Sequence, residues 1–229
     1  MKEPITLSSA TRFPLHLPQV PVRYFTARDK EMDEIENGFQ SQCSSNAHQR
    51  IVVVHGLGGI GKTQVALTYA HKHAHRYAGV FWVDSSSEKS MAQSFRQIAQ
   101  TLVDWAAEIR GSALNFTRIA YEFGFGQLVS PTTGEVTASD TSSKILINAV
   151  KLWLCKQENK GWLMIFDSAD DLDGIALPNY FPNVANGNIL VLSRRSDAAQ
   201  LGYSLELGCL STADSIHMLS DLGRVEGKG

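Results

Sequence analysis

The amino-acid sequence predicts an α/β protein in which a parallel five-stranded sheet carries helices on both of its faces. Two observations lead to this prediction. Five short apolar runs alternate with stretches in which apolar residues recur at helical spacing. Most of these runs are continuously apolar, which is typical of parallel strands that are covered on both faces. The runs lie at residues 51–55, 79–84, 162–167, 188–193 and 204–207.

The composition is that of an ordinary globular protein, with 229 residues, 43% hydrophobic and 19% charged. A net charge of −2 argues against a general nucleic-acid binder. Three cysteines, Cys43, Cys155 and Cys209, lie far apart in the sequence, so neither a disulfide framework nor a zinc site is predicted. No apolar run reaches transmembrane length, and prolines interrupt the N-terminal segment. We therefore expect a cytoplasmic protein with no membrane partner.

The region before the first strand divides into an arm and a helix. Residues 1–21 are rich in proline, serine and threonine and show no period, which predicts an extended arm. Thr26 or Asp29 could cap the helix that follows. The apolar positions of this helix are Met32, Ile35 and Phe39.

A phosphate-binding motif follows the first strand. Residues 56–63 read Gly-Leu-Gly-Gly-Ile-Gly-Lys-Thr and fit the pattern G-x-x-x-x-G-K-[ST], with a helical pattern directly after them. The glycines allow backbone N–H groups to point inward at an anion, and the helix adds its positive N-terminal dipole. Lys62 is predicted to reach the β- and γ-phosphates, and the Thr63 hydroxyl to hold Mg²⁺. The motif therefore indicates a site for a nucleoside di- or triphosphate. Its residues are Gly56, Leu57, Gly58, Gly59, Ile60, Gly61, Lys62 and Thr63.

The second strand is followed by the clearest amphipathic pattern of the chain. Its apolar residues are Met91, Phe95, Ile98, Leu102 and Trp105, and they predict a helix packed on the sheet. This periodicity fails over residues 108–143. We interpret that stretch as an insertion with a short helix near residues 117–123 and a flexible part near residues 132–143. A helix resumes with Ile145, Ala149, Leu152 and Trp153, and a last one is predicted from Ser211 or Thr212 through Ile216, Met218 and Leu219.

The third strand ends in an acid, Asp167, where a nucleotide-binding site of this architecture places the carboxylate that holds Mg²⁺ through water. The next residue, Ser168, is a poor base, so fast hydrolysis is not expected. Asp170 and Asp171 could substitute, but we interpret them as solvated caps of the following turn.

The fourth strand ends in Ser193-Arg194-Arg195. Ligands of parallel α/β sheets bind at the carboxyl ends of the strands, so Arg194 is a candidate sensor of the γ-phosphate. The alternative is a surface ion pair. Arg195 is expected to face solvent.

These ordered motifs together resemble the NB-ARC domain, the nucleotide-binding core of STAND-class signalling ATPases. The amino-acid sequences of these motifs are most similar to those of the fungal NOD-like receptors. The residues that carry the resemblance are Val20-Pro21, Phe25-Thr26-Ala27-Arg28, Glu31, the stretch from His55 to Gln64, Phe81-Trp82-Val83-Asp84, the stretch from Phe166 to Asp171, and Leu192-Ser193-Arg194.

The resemblance implies roles for further residues. Phe25 and Arg28 lie in the segment that packs against the adenine in this family, and Gln64 extends the phosphate-binding loop. Family members hold ADP at rest and exchange it for ATP, which drives assembly into homo-oligomers or with partner receptor chains. The resemblance places the nucleotide-binding domain at residues 22–222 and leaves residues 223–229 as a frayed tail. It also implies a truncation before the small helical and winged-helix parts of the family.

Three functions remain open at this point. The first is a nucleotide-binding signalling module that takes ADP or ATP with Mg²⁺ and is at most a slow ATPase, in innate immunity or cell-death signalling. The second is an active P-loop ATPase or kinase, which Ser168 disfavours. The third is a protein-interaction fragment of a NOD-like receptor that no longer binds nucleotide.

Overall fold

Five parallel strands form a single sheet in the order β2-β3-β4-β1-β5. The computed structural model describes residues 13, 15–19, 21, 28–42, 49–110, 115–139, 142–212, 214–216 and 220. The strands are β1 (Arg50–His55), β2 (Gly79–Asp84), β3 (Trp162–Asp167), β4 (Gly187–Ser193) and β5 (Tyr203–Glu206). The prediction of a parallel five-stranded sheet is confirmed. Because β1 lies between β4 and β5, the loop after β1 leaves the sheet from an inner strand.

The helices cover both faces of the sheet, as predicted. They are α1 (Asp29–Ser41), α2 (Lys62–Lys72), α3 (Glu88–Arg110), α4 (Phe116–Phe123) and α5 (Ser143–Leu154). Short 3₁₀ segments occur at Ala74–Arg76, Gly126–Leu128, Leu177–Tyr180 and Ser196–Leu201. Among the described residues, no helix is both long and apolar enough to cross a bilayer.

Alternate residues of each strand enter two separate cores, because successive side chains of a strand point to opposite faces. On one face, Val52 and Ile165 pack with α1 and α2. On the other face, Val53 and Phe166 pack with α3, α4 and α5. Both cores are closed to solvent, which explains why the strand sequences are continuously apolar.

The described part of the N-terminal arm extends the sheet at its β2 edge. The Phe13 N–H donates to the Ala78 carbonyl at 2.8 Å, and the His16 N–H donates to the Val80 carbonyl at 3.1 Å. The Phe13 ring is buried and contacts the rings of Phe81 and Trp105. The arm is thus extended, and in this part it also covers a sheet edge that would otherwise expose unpaired backbone groups.

The insertion is more ordered than the sequence suggested. α3 continues to Arg110, past the point where the periodicity fails, and the short helix predicted near residues 117–123 is α4. The expectation of a flexible part was wrong for its described residues 132–139 and 142–143, because Val136 and Ala138 are buried against the core and Ser143 begins α5. Single apolar residues set among serines, threonines and glycines show no period, yet Val136 and Ala138 are buried in the core to which α3 also contributes.

The end of the chain agrees with the predicted last helix as far as it is described. Residues 212, 214–216 and 220 are helical. Met218 and Leu219 lie outside the described residues, as does the stretch from residue 221 to residue 229.

Candidate functional site

The phosphate-binding loop connects β1 to α2 and depends on glycine at several positions. Gly56, Gly59 and Gly61 have φ values of 146°, 78° and 102°, in a region that other residues rarely adopt. At Gly56 there is also no room for a side chain, because an added Cβ would lie 2.6 Å from the Leu207 carbonyl oxygen. Gly61 is the residue before α2, so the loop turns directly into the helix N-terminus.

Lys62 folds back over the loop that precedes it. Its Nζ donates to the carbonyl oxygens of Gly56 at 2.8 Å and Leu57 at 3.0 Å. Partial burial lowers the pKa of Lys62, and the negative charge of Asp170 acts in the opposite direction. An anion in the loop would stabilise this ammonium group further. The geometry holds the Lys62 ammonium group against the loop that the sequence predicts to bind phosphates.

Thr63 and Asp167 meet although 104 positions separate them in sequence. The Thr63 hydroxyl lies 3.2 Å from both carboxylate oxygens of Asp167. Burial raises the pKa of Asp167, the charge of Asp84 adds to this effect, and Thr63 and Lys62 act against it. A cation between the hydroxyl and the carboxylate would offset the cost of burying the charge.

This pair of oxygen ligands fits Mg²⁺. That ion is usually held by one or two protein carboxylates or hydroxyls, with substrate phosphates and water completing its octahedron. The part of the chain that the structure describes holds no group of three or more histidine, cysteine, aspartate or glutamate side chains suited to a metal. Thr63 and Asp167 would therefore hold Mg²⁺ together with a nucleotide rather than in a closed protein site.

Arg194 lies against the phosphate-binding loop and is also ion-paired. A Cβ built on Gly58 would be 3.5 Å from Arg194 Cζ, so the guanidinium covers the loop. Its Nε is 3.3 Å from Asp170 Oδ2, and its side chain is 70% exposed. The sequence left a choice between a phosphate sensor and a surface ion pair, and the geometry fits both at once.

Asp170 and Asp171 have different surroundings. Asp171 caps its turn as predicted, since its Oδ1 accepts the Gly174 N–H at 2.9 Å. Asp170 departs from the predicted solvated cap, because its carboxylate binds the backbone N–H and the side chain of Arg194. The sequence could not show this contact, which depends on β4 lying beside β3.

Arg28 is buried and connects three segments of the chain by hydrogen bonds. Its guanidinium is 5% exposed, pairs with Glu31 Oε1 at 2.6 Å and donates to the carbonyl oxygens of Gly208 at 2.9 Å and Ile60 at 3.5 Å. It thereby joins the start of α1 to the phosphate-binding loop and to the segment after β5. Phe25, the other predicted adenine-binding residue, lies outside the described residues.

A groove of about 1260 Å³ opens beside the Thr63–Asp167 pair. It runs from these two side chains along the N-terminal half of α3 to the arm, where His16 forms part of its wall. Asp84 also lines it. Asp84 ends β2 just as Asp167 ends β3, yet its sequence context alone did not point to a role.

The comparisons with known proteins agree with this site. The model of the NB-ARC domain matches residues 28–115, a stretch that includes the whole phosphate-binding loop. Over these residues the chain is similar to the NB-ARC family. Domains of this family are P-loop NTPase modules, and the family implies nucleotide binding, typically with Mg²⁺.

One curated relative is a nucleotide-binding leucine-rich repeat (NLR)-like protein of Hyaloscypha variabilis. It is 25% identical over 224 residues, which cover 90% of this chain and 19% of the relative. The chain therefore spans about a fifth of the length of that protein. The likeness extends well beyond the 88 residues of the family match.

Two solved structures are similar to this chain. Cdc6p from Pyrobaculum aerophilum has a TM-score of 0.53 at 11% identity and is matched over 91% of this chain and 52% of its own. A Signal Transduction ATPase with Numerous Domains from Pyrococcus horikoshii, which has a tetratricopeptide repeat sensor, has a TM-score of 0.46 at 16% identity. It is matched over 89% of this chain and 26% of its own. At such identities the likeness to Cdc6p shows the fold alone.

Proposed function

We propose that this NB-ARC domain binds ADP or ATP with Mg²⁺ and is the switch core of a NOD-like receptor type signalling protein. The observation that carries the proposal is the meeting of Thr63 and Asp167 at 3.2 Å, beside Lys62, at the mouth of a loop whose glycines hold positive φ values. A glycine-rich turn without a ligand has no need for these three side chains to converge.

Binding of a nucleotide would replace contacts that the loop now makes with itself. The Lys62 ammonium would exchange the carbonyls of Gly56 and Leu57 for phosphate oxygens, which are charged and therefore stronger acceptors. The N-terminus of α2 would face the same phosphates and add its dipole. Thr63 and Asp167 would share the Mg²⁺.

Two further features support the proposed signalling role. Arg194 lies over the loop at Gly58, where its guanidinium can distinguish a third phosphate from its absence. The NLR-like relative is a far longer protein, which fits a nucleotide-binding core that acts on other domains. We propose oligomerisation, alone or with partner receptor chains, as the output of this switch, in an innate-immune or cell-death-like pathway.

Hydrolysis is proposed to be slow. Ser168 follows Asp167 at the position where an acid would activate water, and a serine hydroxyl is a poor base at neutral pH. A switch benefits from this, because the bound nucleotide then persists long enough to define a state.

Thermal unfolding with Mg-ADP tests the proposal. A ligand at 100 times its Kd stabilises a protein by about 2.7 kcal/mol. For a domain of this size each kcal/mol moves Tm by about 2–4 °C, so a shift of several degrees is expected. Lys62→Ala should abolish the shift. Lys72→Ala is the matched control, because Lys72 lies at the far end of α2 and pairs with Asp29 at the surface.

A further inference from the structure

The register of the sheet places a second carboxylate beside Asp167. Asp84 ends β2 and Asp167 ends β3, and the two residues are direct partners in the parallel ladder. Neighbouring strands lie about 4.8 Å apart, and partners in register point to the same face. That face is the one covered by α2, because Trp82 and Ile165, two positions earlier, pack in the core formed with α1 and α2. Both carboxylates line the groove together with Thr63.

A backbone hydrogen bond connects Asp84 to α3. Its N–H donates to the Ser94 hydroxyl at 3.0 Å, and Ser94 is buried and bonded in turn to the Ser90 carbonyl within α3. One carboxylate oxygen, Oδ1, accepts the Ser86 N–H at 3.0 Å. Among the described residues, no hydrogen bond is made to Oδ2. The side chain is exposed in the groove, so this oxygen can bind water.

The other described acids near the site have different surroundings. Asp170 binds the backbone and side chain of Arg194, and Asp171 caps its own turn. Asp167 is bonded to the Thr63 hydroxyl. The residue after Asp167, Ser168, adopts φ 61° and carries only a hydroxyl. Of these described acids, Asp84 and Asp167 line the groove, and Asp84 is the one of the two whose Oδ2 accepts no hydrogen bond from the described residues.

We propose that Asp84 activates the attacking water when this site hydrolyses ATP, in place of an acid directly after Asp167. This inference rests on the proposed nucleotide binding. The water oxygen forms a bond to the γ-phosphorus while the bond from that phosphorus to the bridging oxygen of ADP breaks, and the electron pair stays on ADP. The water proton passes to Asp84 and then to solvent. The products are ADP and inorganic phosphate.

The test separates binding from chemistry. Asp84→Asn keeps the shape of the side chain and the oxygen that accepts the Ser86 N–H, but it removes the base. Phosphate release is measured in a single turnover after Mg-ATP binding, and the Kd of Mg-ADP is measured separately. General-base catalysis contributes about 10²–10⁴ in rate, so at least a tenfold loss of rate is expected, with the Kd changed by less than threefold. Asp173→Asn, an exposed partner of Arg195, is the control that keeps the wild-type rate.

A second readout does not depend on turnover. Mg-ADP with aluminium fluoride, which mimics the phosphoryl group under attack by water, should raise the Tm of the wild type above its value with Mg-ADP. Asp84→Asn should lose this additional shift, and Asp84→Glu should recover part of it. The Tm of each variant without ligand reports whether the substitution has damaged the fold.

Each remaining outcome contradicts the inference in a recognisable way. Wild-type protein that binds Mg-ATP but releases no phosphate, or a variant that hydrolyses at the wild-type rate, overturns the role of Asp84 and leaves nucleotide binding intact. If Asp84→Asn instead needed a tenfold higher Mg²⁺ concentration for nucleotide binding, Asp84 would be part of the metal site. Wild-type protein that binds no nucleotide overturns the proposed function itself.

Discussion

Asp170 Oδ1 accepts the backbone N–H of Arg194 at 2.6 Å, and Asp170 Oδ2 lies 3.3 Å from Arg194 Nε. The contact joins the turn after β3 to the end of β4 and holds the guanidinium against the phosphate-binding loop at Gly58. Asp170 is therefore a positioning residue for the proposed phosphate sensor. The ion pair is partly exposed, so its own contribution to stability is small.

The first prediction concerns this pair. Arg194→Ala should weaken ATP binding at least fivefold and leave ADP binding within twofold, because only ATP carries the phosphate that the guanidinium would contact. Asp170→Ala should show the same selectivity to a smaller degree, since Arg194 stays present but loses its support. Calorimetric titration of each nucleotide with Mg²⁺ measures both. Equal loss of ADP and ATP affinity in Arg194→Ala would refute the sensor role.

The second prediction concerns the glycines of the loop. Gly56→Ala should destabilise the protein by about 2–3 kcal/mol, because the new Cβ adds a clash with the Leu207 carbonyl to the strain of positive φ. Gly59→Ala should cost only about 1 kcal/mol, since no atom lies within 4 Å of its Cβ and strain acts alone. Urea unfolding gives the two free energies. If both variants lost the same free energy of unfolding, the Leu207 carbonyl would have moved away from the new Cβ.

The third prediction is a pH dependence at Glu36. Burial alone would raise the pKa of Glu36, but hydrogen bonds from Gln40 and Tyr69 and the charge of Arg76 outweigh it and lower that pKa below its usual 4.5. A depressed folded-state pKa stabilises the protein above the unfolded-state value and ceases to do so as pH falls through the folded-state value.

Glu36→Gln should therefore reduce the free energy of unfolding at pH 7 by less than about 1 kcal/mol, given the solvent screening of a partly exposed group. The difference from the wild type should shrink as pH falls below about 4.5. Chemical unfolding of both proteins at a series of pH values measures this difference in the free energy of unfolding. A difference that grows in acid would mean that Glu36 does not carry this linkage.

The sequence was sufficient for the features that are local along the chain. The strands are apolar runs of the right length, and the phosphate-binding loop is a contiguous motif whose residues need only be adjacent to work. Asp167 could also be predicted, because an acid at the end of a buried strand points to Mg²⁺ when a phosphate-binding loop precedes it in the sequence.

Features that depend on the order of the strands in the sheet could not be predicted from the sequence alone. Asp84 becomes relevant only when β2 pairs with β3, and Asp170 only when β4 lies beside them. The buried part of the insertion was missed for a related reason. The Gln100 side chain of α3 accepts the Val136 N–H at 2.8 Å and donates to the Gly134 carbonyl at 3.1 Å. No periodicity in residues 128–139 predicts such a contact.

Arg28 illustrates a role that changes with context. The family resemblance places it near the adenine, whereas its guanidinium here bonds to Glu31 and to two backbone carbonyls. A buried arginine that donates to one carboxylate and two backbone carbonyls connects the segments around a site. A role in contacting the base remains a prediction, which nucleotide affinity in Arg28→Lys, compared with its Tm, would test.

The loop, Lys62 and the Thr63–Asp167 pair are proposed to form one nucleotide site. Calorimetric titration of Mg-ADP into protein freed of bound nucleotide measures this binding. We expect about one site per chain in the wild type and in Lys72→Ala, no detectable binding in Lys62→Ala, and loss of the Mg²⁺ dependence in Asp167→Asn. Folded wild-type protein that gives no binding signal with either Mg-ADP or Mg-ATP would refute the proposed nucleotide site.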